Sequence, residues 1–246
     1  MIKELEDYNW FPEILRQWQL EFVGAVSVWT KLYRPLATVL DEMIVNNKTV
    51  AWQDTCSGSG VPAIDVYGQL KKKIALLLTD KYPGSIAENK QGISYSAIPV
   101  DVLTMQPVAG TVYTMFNAFH HFTATQQKEW INKMIKDKTT FIIAEILEPN
   151  VFTMLKIFFT GTVIQLLTAP FVKPFSLKRL FFIYIIPVNL FTVTYDGIIS
   201  VWRSRRASQY KQLFETIEAG AYNISVNTVH NWKGNLVYIK GEPANT

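Results

Sequence analysis

The sequence predicts an α/β fold: a doubly wound, mostly parallel sheet of seven strands whose last strand runs antiparallel. Three observations carry this. Short apolar runs alternate with helix-length segments between residues 49 and 146, which is the rhythm of strand-helix-strand units. A turn bearing two glycines, Asp54-Thr55-Cys56-Ser57-Gly58-Ser59-Gly60, stands between the first of those runs and a helix. The chain closes on two strand-length runs joined by Asn231-Trp232-Lys233-Gly234-Asn235, an antiparallel hairpin on an otherwise parallel sheet.

Taken in order, the elements begin with helices. Pro12 falls in a first helical turn, and Ile14, Leu15, Trp18, Phe22, Ala25 and Val26 follow at helical spacing. A second helix is expected over 34–44, with Leu36, Val39, Leu40 and Met43 on one face and Asn46-Asn47 ending it. Strands are expected at 49–53, 74–79, 93–98, 111–116 and 140–145, with helices at 61–70 and 125–135 between them. The 140–145 run is nearly all apolar, as a parallel strand covered on both faces should be. A greasy section over 151–201 interrupts the rhythm, a polar helix is expected at 208–219, and the closing strands at 222–230 and 236–240. The 246 residues then divide as a single domain: helical extension 1–46, cofactor-binding half 47–146, apolar insertion or lid 147–205, and final helix with hairpin 206–246.

Composition narrows the classes. Hydrophobic residues make up 49% of the chain, aromatic ones 13%, and the mean hydropathy is +0.10, the greasy end of the soluble range. The net charge of +4 is local: residues 150–195 hold Lys156, Lys173, Lys178 and Arg179 and no acid, while the rest of the chain balances. That argues for a basic, apolar surface rather than a general polyanion binder. Cys56 is the lone cysteine, so no internal disulfide forms. Residues 1–8 alternate apolar and acidic side chains, unlike a signal peptide. The uncharged stretches 157–172 and 180–195 run about sixteen residues each, short of the ~20 that span a bilayer, and Gln165, Pro170, Pro187 and Asn189 weaken a spanning reading further. The expected location is cytoplasmic, with peripheral contact at the inner face of the membrane as one reading of the greasy section.

The glycine turn has a definite physical use. Gly58 and Gly60 lack a Cβ and let the chain turn tightly beside a ligand, while the following helix presents free N–H groups. The pattern is not a dinucleotide fingerprint, because Ala63 fills the last glycine position, and no Lys-Ser/Thr pair makes a nucleotide P-loop. Asp80, twenty positions after Gly60 at the end of the next strand, can accept two hydrogen bonds from the vicinal hydroxyls of a ribose. Asp101 follows the third strand, where an adenine edge would lie.

On these residues the chain resembles the class I S-adenosylmethionine-dependent methyltransferases. The segment from Asp54 to Gly60 is similar to their first motif, departing from it in having Cys56 where the first glycine often stands. Asp80 matches the family's ribose-binding acid and Asp101 its adenine-proximal acid. Residues 114–122, Thr-Met-Phe-Asn-Ala-Phe-His-His-Phe, resemble the strand-four motif of a bacterial small-molecule subgroup. The resemblance covers about residues 48–146 and 206–241. It implies a Rossmann-like sheet, S-adenosylmethionine as cofactor, and a cofactor-binding set of Asp54, Cys56, Gly58, Gly60, Asp80, Asp101 and Asn117.

The acceptor side reads less sharply. His120 and His121 follow the fourth strand, and either imidazole, His121 first, is a candidate base for a phenol or enol; the plainer alternative is a helix cap or a core histidine. Among Asp7, Tyr8, Trp10, Phe11 and Arg16, the aromatic cluster Tyr8, Trp10 and Phe11 can stack on an acceptor or simply staple the first helix. Asp196, the first acid after the long basic section, is expected to face the pocket, and Arg203, Arg205 and Arg206 to begin the last helix. The greasy section admits three readings: ordinary core or homodimer interface, lid over an apolar acceptor, or interfacial membrane element. No metal is expected, since adjacent side chains such as His120 and His121 do not usually converge on one ion. Nucleic acid is an unexpected partner, because Asn117-Ala118-Phe119-His120 lacks the Pro-Pro-aromatic pattern of nucleic-acid methyltransferases. The function expected is methyl transfer to oxygen or carbon of an apolar, aromatic or polyene-like small molecule. The alternative is a non-catalytic protein of the same fold that binds a membrane or partner through residues 150–195.

Overall fold

The computed structural model describes residues 2–83, 91–231 and 234–244; Trp232 and Lys233 of the expected hairpin turn lie outside the described residues. Two helices lead, α1 (Glu13–Thr30) and α2 (Leu36–Asn46). The sheet then builds from β1 (Ala51–Thr55), β2 (Ala75–Thr79), β3 (Ile93–Tyr95), β4 (Thr111–Phe116) and β5 (Thr140–Glu145), with α3 (Val61–Gln69) after β1 and α4 (Ala124–Lys136) before β5. It closes on β6 (Tyr222–Val229) and β7 (Leu236–Pro243). The strand order is β3-β2-β1-β4-β5-β7-β6, parallel throughout except for β7, which pairs antiparallel with both β5 and β6. The strand order reverses at β1, between β2 and β4, and crevices at such a switch point, outside the carboxyl ends of parallel strands, are where ligands bind.

Side-chain alternation explains why β4 and β5 read as mostly apolar runs. Val112, Phe116, Ile142 and Ala144 point into one core, with Leu40, Met43, Ile44 and Val66 of α2 and α3. Tyr113, Met115, Phe141 and Ile143 point into the other, with Trp130 and Met134 of α4 and Tyr210 and Phe214 of the last helix. Both faces are covered, so both alternate sets are apolar.

Several boundaries differ from expectation, α2 (Leu36–Asn46 against 34–44) and β7 (to Pro243 against 240) among them, and three others have a local reason. The Thr49 N–H closes the end of α2 on the Ile44 carbonyl, so β1 starts at Ala51 rather than at 49. β3 stops at Tyr95 because the Ser96 hydroxyl exchanges hydrogen bonds with the backbone of Ile98. The last helix, after the insertion, ends at Glu215 rather than at 219, its end capped at Thr216.

The insertion departs furthest. α5 (Val151–Phe159) runs through a π turn (Thr160–Ile164), α6 (Gln165–Thr168) and a 3-10 turn (Ala169–Phe171). Together they make one helical run of 21 residues, long and apolar enough to cross a membrane by length and composition. This corrects the sixteen-residue reading, because the helix extends back through Lys156 to Val151 and the charge does not end it. α7 (Leu177–Tyr184) and α8 (Val188–Arg203) follow, bent at 77° to each other, then α9 (Ala207–Glu215). The run buries only a narrow stripe. A Cβ on Gly161 would stand 2.9 Å from the Thr194 Cα, and one on Gly197 2.6 Å from Ile157 Cγ2, so α5 and its π turn lie tightly against α8. Gln165 and Ala169 continue the stripe, while Phe152, Leu155, Phe159, Leu167 and Phe171 face outward.

α1 buries polar side chains as well as apolar ones. Arg16, Gln19, Glu21 and Ser27 are buried together with Trp18 and Phe22, whereas Ile14 is exposed. The reason is pairing: Arg16 donates to the Glu6 and Tyr8 carbonyls, Gln19 to Asp196, and Glu21 meets Arg179 at 2.5 Å.

Candidate active site

At the end of β1 the chain enters the left-handed region at Cys56 (φ 54°), Gly58 (φ 53°) and Gly60 (φ 70°), and α3 begins. A side chain at Gly60 would collide with Leu78 Cδ1 at 2.5 Å, so the turn requires glycine there on two counts. Cys56 adopts at some cost a conformation that glycine adopts freely. Cys56→Gly is therefore expected to leave the fold intact and raise stability by up to about 1 kcal/mol, read by urea denaturation; a loss would mean that the thiol's packing outweighs the strain.

The turn is stitched to β2. Ser57 N–H donates to the Thr79 carbonyl (3.1 Å), the Ser57 hydroxyl donates to the Asp54 carbonyl (2.9 Å), and the Gly58 N–H donates to Asp80 Oδ2 (2.8 Å). Asp80 Oδ1 accepts the Tyr82 N–H at 2.8 Å. Each Asp80 oxygen thus keeps a lone pair for a further donor. Burial raises the Asp80 carboxyl, while the N–H groups of Tyr82, Gly58 and Lys81 and the charge of His121 pull it back.

Asp54 lies deeper. Trp52 Nε1–H donates to Thr114 Oγ1 (2.7 Å), whose hydroxyl donates to Asp54 Oδ1 (2.5 Å), a relay running from β1 to β4 and back. Burial pushes the Asp54 carboxyl up to about 7 against the hydrogen bonds from Thr114 and Ser57. Asp101 stands 3.6 Å from Lys81 and accepts the Leu103 N–H, on a loop that the Val100 N–H ties to the Asp80 carbonyl. Asn117 (φ 50°) ends β4; its N–H donates to the Ala144 carbonyl and its Oδ1 accepts from Ile146, so it braces the ends of β4 and β5.

The N-terminal segment closes this edge from above. Leu20 of α1 packs where a Gly58 side chain would be, and Gly24 brings α1 against Ser59 and Val61. Tyr82 donates its hydroxyl to Asn9 Oδ1 (2.7 Å), and the Arg16 guanidinium lies 4.1 Å from the Tyr82 ring centre. Tyr8 and Trp10 stack at 5.5 Å and are exposed, available to a ligand. Phe11 is 4% exposed and packs into the protein, the staple rather than a surface to stack on.

Asp196 corrects the expectation that it faces the pocket. Its oxygens accept the backbone N–H groups of Leu5 (2.6 Å) and Glu6 (3.2 Å) and the Gln19 amide (2.8 Å), so it anchors the N-terminal segment to α8. The histidines sit on the 3-10 turn Phe119–His121, with ring centres 4.6 Å apart. His120 is fully buried and bonded to Glu145 at 2.7 Å. His121 is largely buried beside Glu4, Glu6 and Asp7. Burial opposes its charge, but Glu4, the hydrogen bond to Asp7, and Glu6 push it up to about 10. An imidazolium donates rather than accepts, so in this surrounding His121 is not a free general base at neutral pH.

The structure therefore gathers Asp54, Cys56, Gly58, Gly60 and Asp80 at the switch point, with His121 close enough for its charge to be felt at Asp80. Sequence reasoning missed Glu4, Glu6 and Glu145, whose partners lie more than a hundred residues away for the first two and 25 residues away for the last. Ile2, Ile199, Trp202 and Arg203 line an open groove of about 470 Å³, which Arg203 joins to the His121 carbonyl.

No protein-family model matches the chain, and no curated protein matches it in sequence. The likeness lies in solved structures. The plantazolicin methyltransferase BpumL, in complex with a monoazolic desmethylPZN analog and SAH, superposes with a TM-score of 0.51 at 10% identity, covering 94% of this chain and 96% of that one. Human N-acetylserotonin methyltransferase in complex with SAM matches at 12% identity and a TM-score of 0.48, over 87% of this chain and 56% of that chain. The chain thus spans little more than half the length of that relative. At such identities the likeness to BpumL is one of fold: this chain has the Rossmann-like architecture of that methyltransferase.

Proposed function

We propose that the chain transfers a methyl group from S-adenosylmethionine to an oxygen or carbon of an apolar small molecule met at a membrane surface. One observation carries the cofactor half: Asp80, at the end of β2, is locked to the Gly58 N–H of the turn after β1, beside the point where the strand order reverses. The free lone pairs of Asp80 suit the two ribose hydroxyls, and the fixed turn brings backbone close to a ligand. When bound, S-adenosylmethionine supplies a methyl group already activated by its sulfonium. The chain then has to hold the acceptor in line and keep water away. α1 and the segment before it cover the glycine turn, and Tyr8 and Trp10 offer aromatic faces at its rim.

The test is calorimetric titration with S-adenosylmethionine and its demethylated product. Both are expected to bind, and Asp80→Ala to weaken each by at least about tenfold, ~1.4 kcal/mol. Failure of the wild-type chain to bind either would overturn the reading.

The acceptor half rests on the insertion. Phe152, Leu167, Phe171, Leu177 and Phe191 are each 65–73% exposed, and large apolar side chains concentrated in one section of the surface favour a membrane or partner contact. Lys156, Lys173 and Lys178 accompany them without an acid between 150 and 195. Apolar side chains rimmed by bases suit an anionic bilayer, where each base near the surface contributes about 1 kcal/mol. Flotation with phosphatidylglycerol vesicles is expected to carry the protein up, and Phe171→Asp with Leu177→Asp to leave it at the bottom. Equal flotation of wild type and variant would rule this face out as the contact. Cofactor binding with no methyl transfer to any lipid-soluble acceptor would favour the non-catalytic alternative.

A further inference from the structure

We infer that Glu4, His120 and His121 form a site for a divalent transition metal, with zinc the ion their chemistry fits best. One ring nitrogen of each histidine and one Glu4 oxygen lie within 4.8 Å of one another. His120 Nε2 is 3.8 Å from Glu4 Oε1, and His121 Nε2 is 3.5 Å from Glu4 Oε2. Ligands of a tetrahedral zinc with bonds of 2.0–2.1 Å stand about 3.4 Å apart, so each histidine is within a few tenths of an ångström of that spacing from a Glu4 oxygen, and the whole set, within 4.8 Å, closes by an adjustment of side chains.

The rings are oriented for it. Glu145 accepts the Phe119 N–H through one oxygen and the His120 Nδ1–H through the other, both at 2.7 Å. With Nδ1 as the donor, His120 Nε2 is left as an acceptor, buried, without a hydrogen-bond partner, and 3.8 Å from a Glu4 oxygen. Two acceptors facing each other in a dry place call for a cation between them. His121 is oriented in the same way: its Nδ1–H donates to Asp7 Oδ1 at 2.9 Å and its Nε2 lies 3.5 Å from Glu4, so an ion bound there takes the place of the Nε2 proton. A ligating histidine almost always gives its other N–H to a carboxylate in this way, and here both do. Glu4 is held in turn by the Ser200 hydroxyl (2.8 Å) and by Arg203 (3.4 Å).

Charge agrees with geometry. Glu4, Glu6, Asp7 and Glu145 crowd the turn, and Arg203 is the guanidinium that meets Glu4 and Asp7. The side that His120 and Glu4 close is buried, whereas His121 and Glu6 are 17% and 21% exposed, which gives an ion a way in. Glu6 Oε1, 3.8 Å from His121 Nε2, is the nearest fourth ligand; if it stays away, that position is open to an outside oxygen. Adjacency in sequence does not prevent convergence here, since the two ring centres stand 4.6 Å apart with their planes 36° from parallel.

Metal binding is separable from methyl transfer and is tested without a cofactor. The untagged, chelator-stripped chain is titrated with zinc by calorimetry and, in parallel, with cobalt(II), whose visible absorption reports four-coordinate geometry. One ion per chain is expected, with micromolar or tighter affinity. Glu4→Gln, which keeps the Ser200 contact, is expected to weaken binding at least ~100-fold, and Asp7→Asn about 10–100-fold by releasing the His121 ring. Thermal melts of each variant separate lost ligands from lost fold, and X-ray absorption of the wild-type cobalt form counts its imidazoles independently of any variant. A folded wild-type chain that binds no zinc at ~100 μM, a cobalt site without two imidazoles, or wild-type affinity in Glu4→Gln would each overturn the site. S-adenosylmethionine binding by the stripped chain would leave the methyl-transfer reading standing through such a failure.

Discussion

Arg179→Ala is expected to cost about 3–5 kcal/mol of folding stability, the largest single effect among the described contacts. Arg179 is 1% exposed and reaches Glu21 on α1 at 2.5 Å through Nη1. Its Nη2 donates to the carbonyls of Val172 and Pro174, gathering the link between α6 and α7 around one guanidinium. Truncation leaves a buried carboxylate with only the Gln17 amide and strips two buried carbonyls of their donor. Arg179→Lys is expected to recover only part, since an ammonium cannot reproduce the fork. Chemical denaturation of both variants checks this; a loss under 1 kcal/mol in Arg179→Ala would mean that water replaces the pair. Arg179→Met with Glu21→Leu, which removes both charges, should fall far less than Arg179→Ala.

That pair also joins the two halves of the proposal. The residue counted in sequence among four bases of a basic surface is the peg that fixes the apolar insertion to the helix covering the glycine turn. The charge left outside belongs to Lys156, Lys173 and Lys178. A movement of the insertion on meeting a bilayer would therefore be transmitted to α1, and through Leu20 and Gly24 to Gly58 and Ser59.

What the sequence made legible follows the range of the interactions involved. β4 and β5 can be read to the residue, because two alternating cores make most of their length apolar, with Thr114 the one interior exception. Gly58, Gly60 and Asp80 are legible because a turn and the neighbouring strand end form a local device with its own spacing. In α1 the spacing finds Trp18, Phe22, Ala25 and Val26, which do pack, but it cannot reveal that Arg16, Gln19 and Glu21 are buried beside them, each with its own partner. Asp196 and Glu4 were beyond reach for the same reason: their bonds span residues 5 to 196 and 4 to 200. His120 and His121 stood out in sequence, but their chemistry depends on Glu4, Asp7 and Glu145, which only the fold brings to them.

Asp54→Asn is expected to make the protein more stable above neutral pH and to flatten its stability profile. Burial holds the Asp54 carboxyl near 7 in the folded chain, helped by the charge of Asp80 and opposed by Thr114 and Ser57, against 3.8 when unfolded. Below pH ~4 both states carry the proton and the group contributes nothing. Between about 4 and 7 the folded state keeps a proton that the unfolded state has lost, so stability falls as pH rises; above 7 the whole penalty applies. The displacement corresponds to roughly 4 kcal/mol at most, and 2–4 kcal/mol is the expected gap between wild type and variant at pH 8. Subtracting the two denaturation profiles from pH 5 to 8 removes the other groups that titrate there. A flat difference, or a variant less stable at pH 8, would mean that Asp54 is ionised and satisfied by Thr114. A carboxyl kept at such a cost on the strand that delivers the glycine turn is explained if it serves the ligand there, so the same variant should bind S-adenosylmethionine more weakly while folding more tightly.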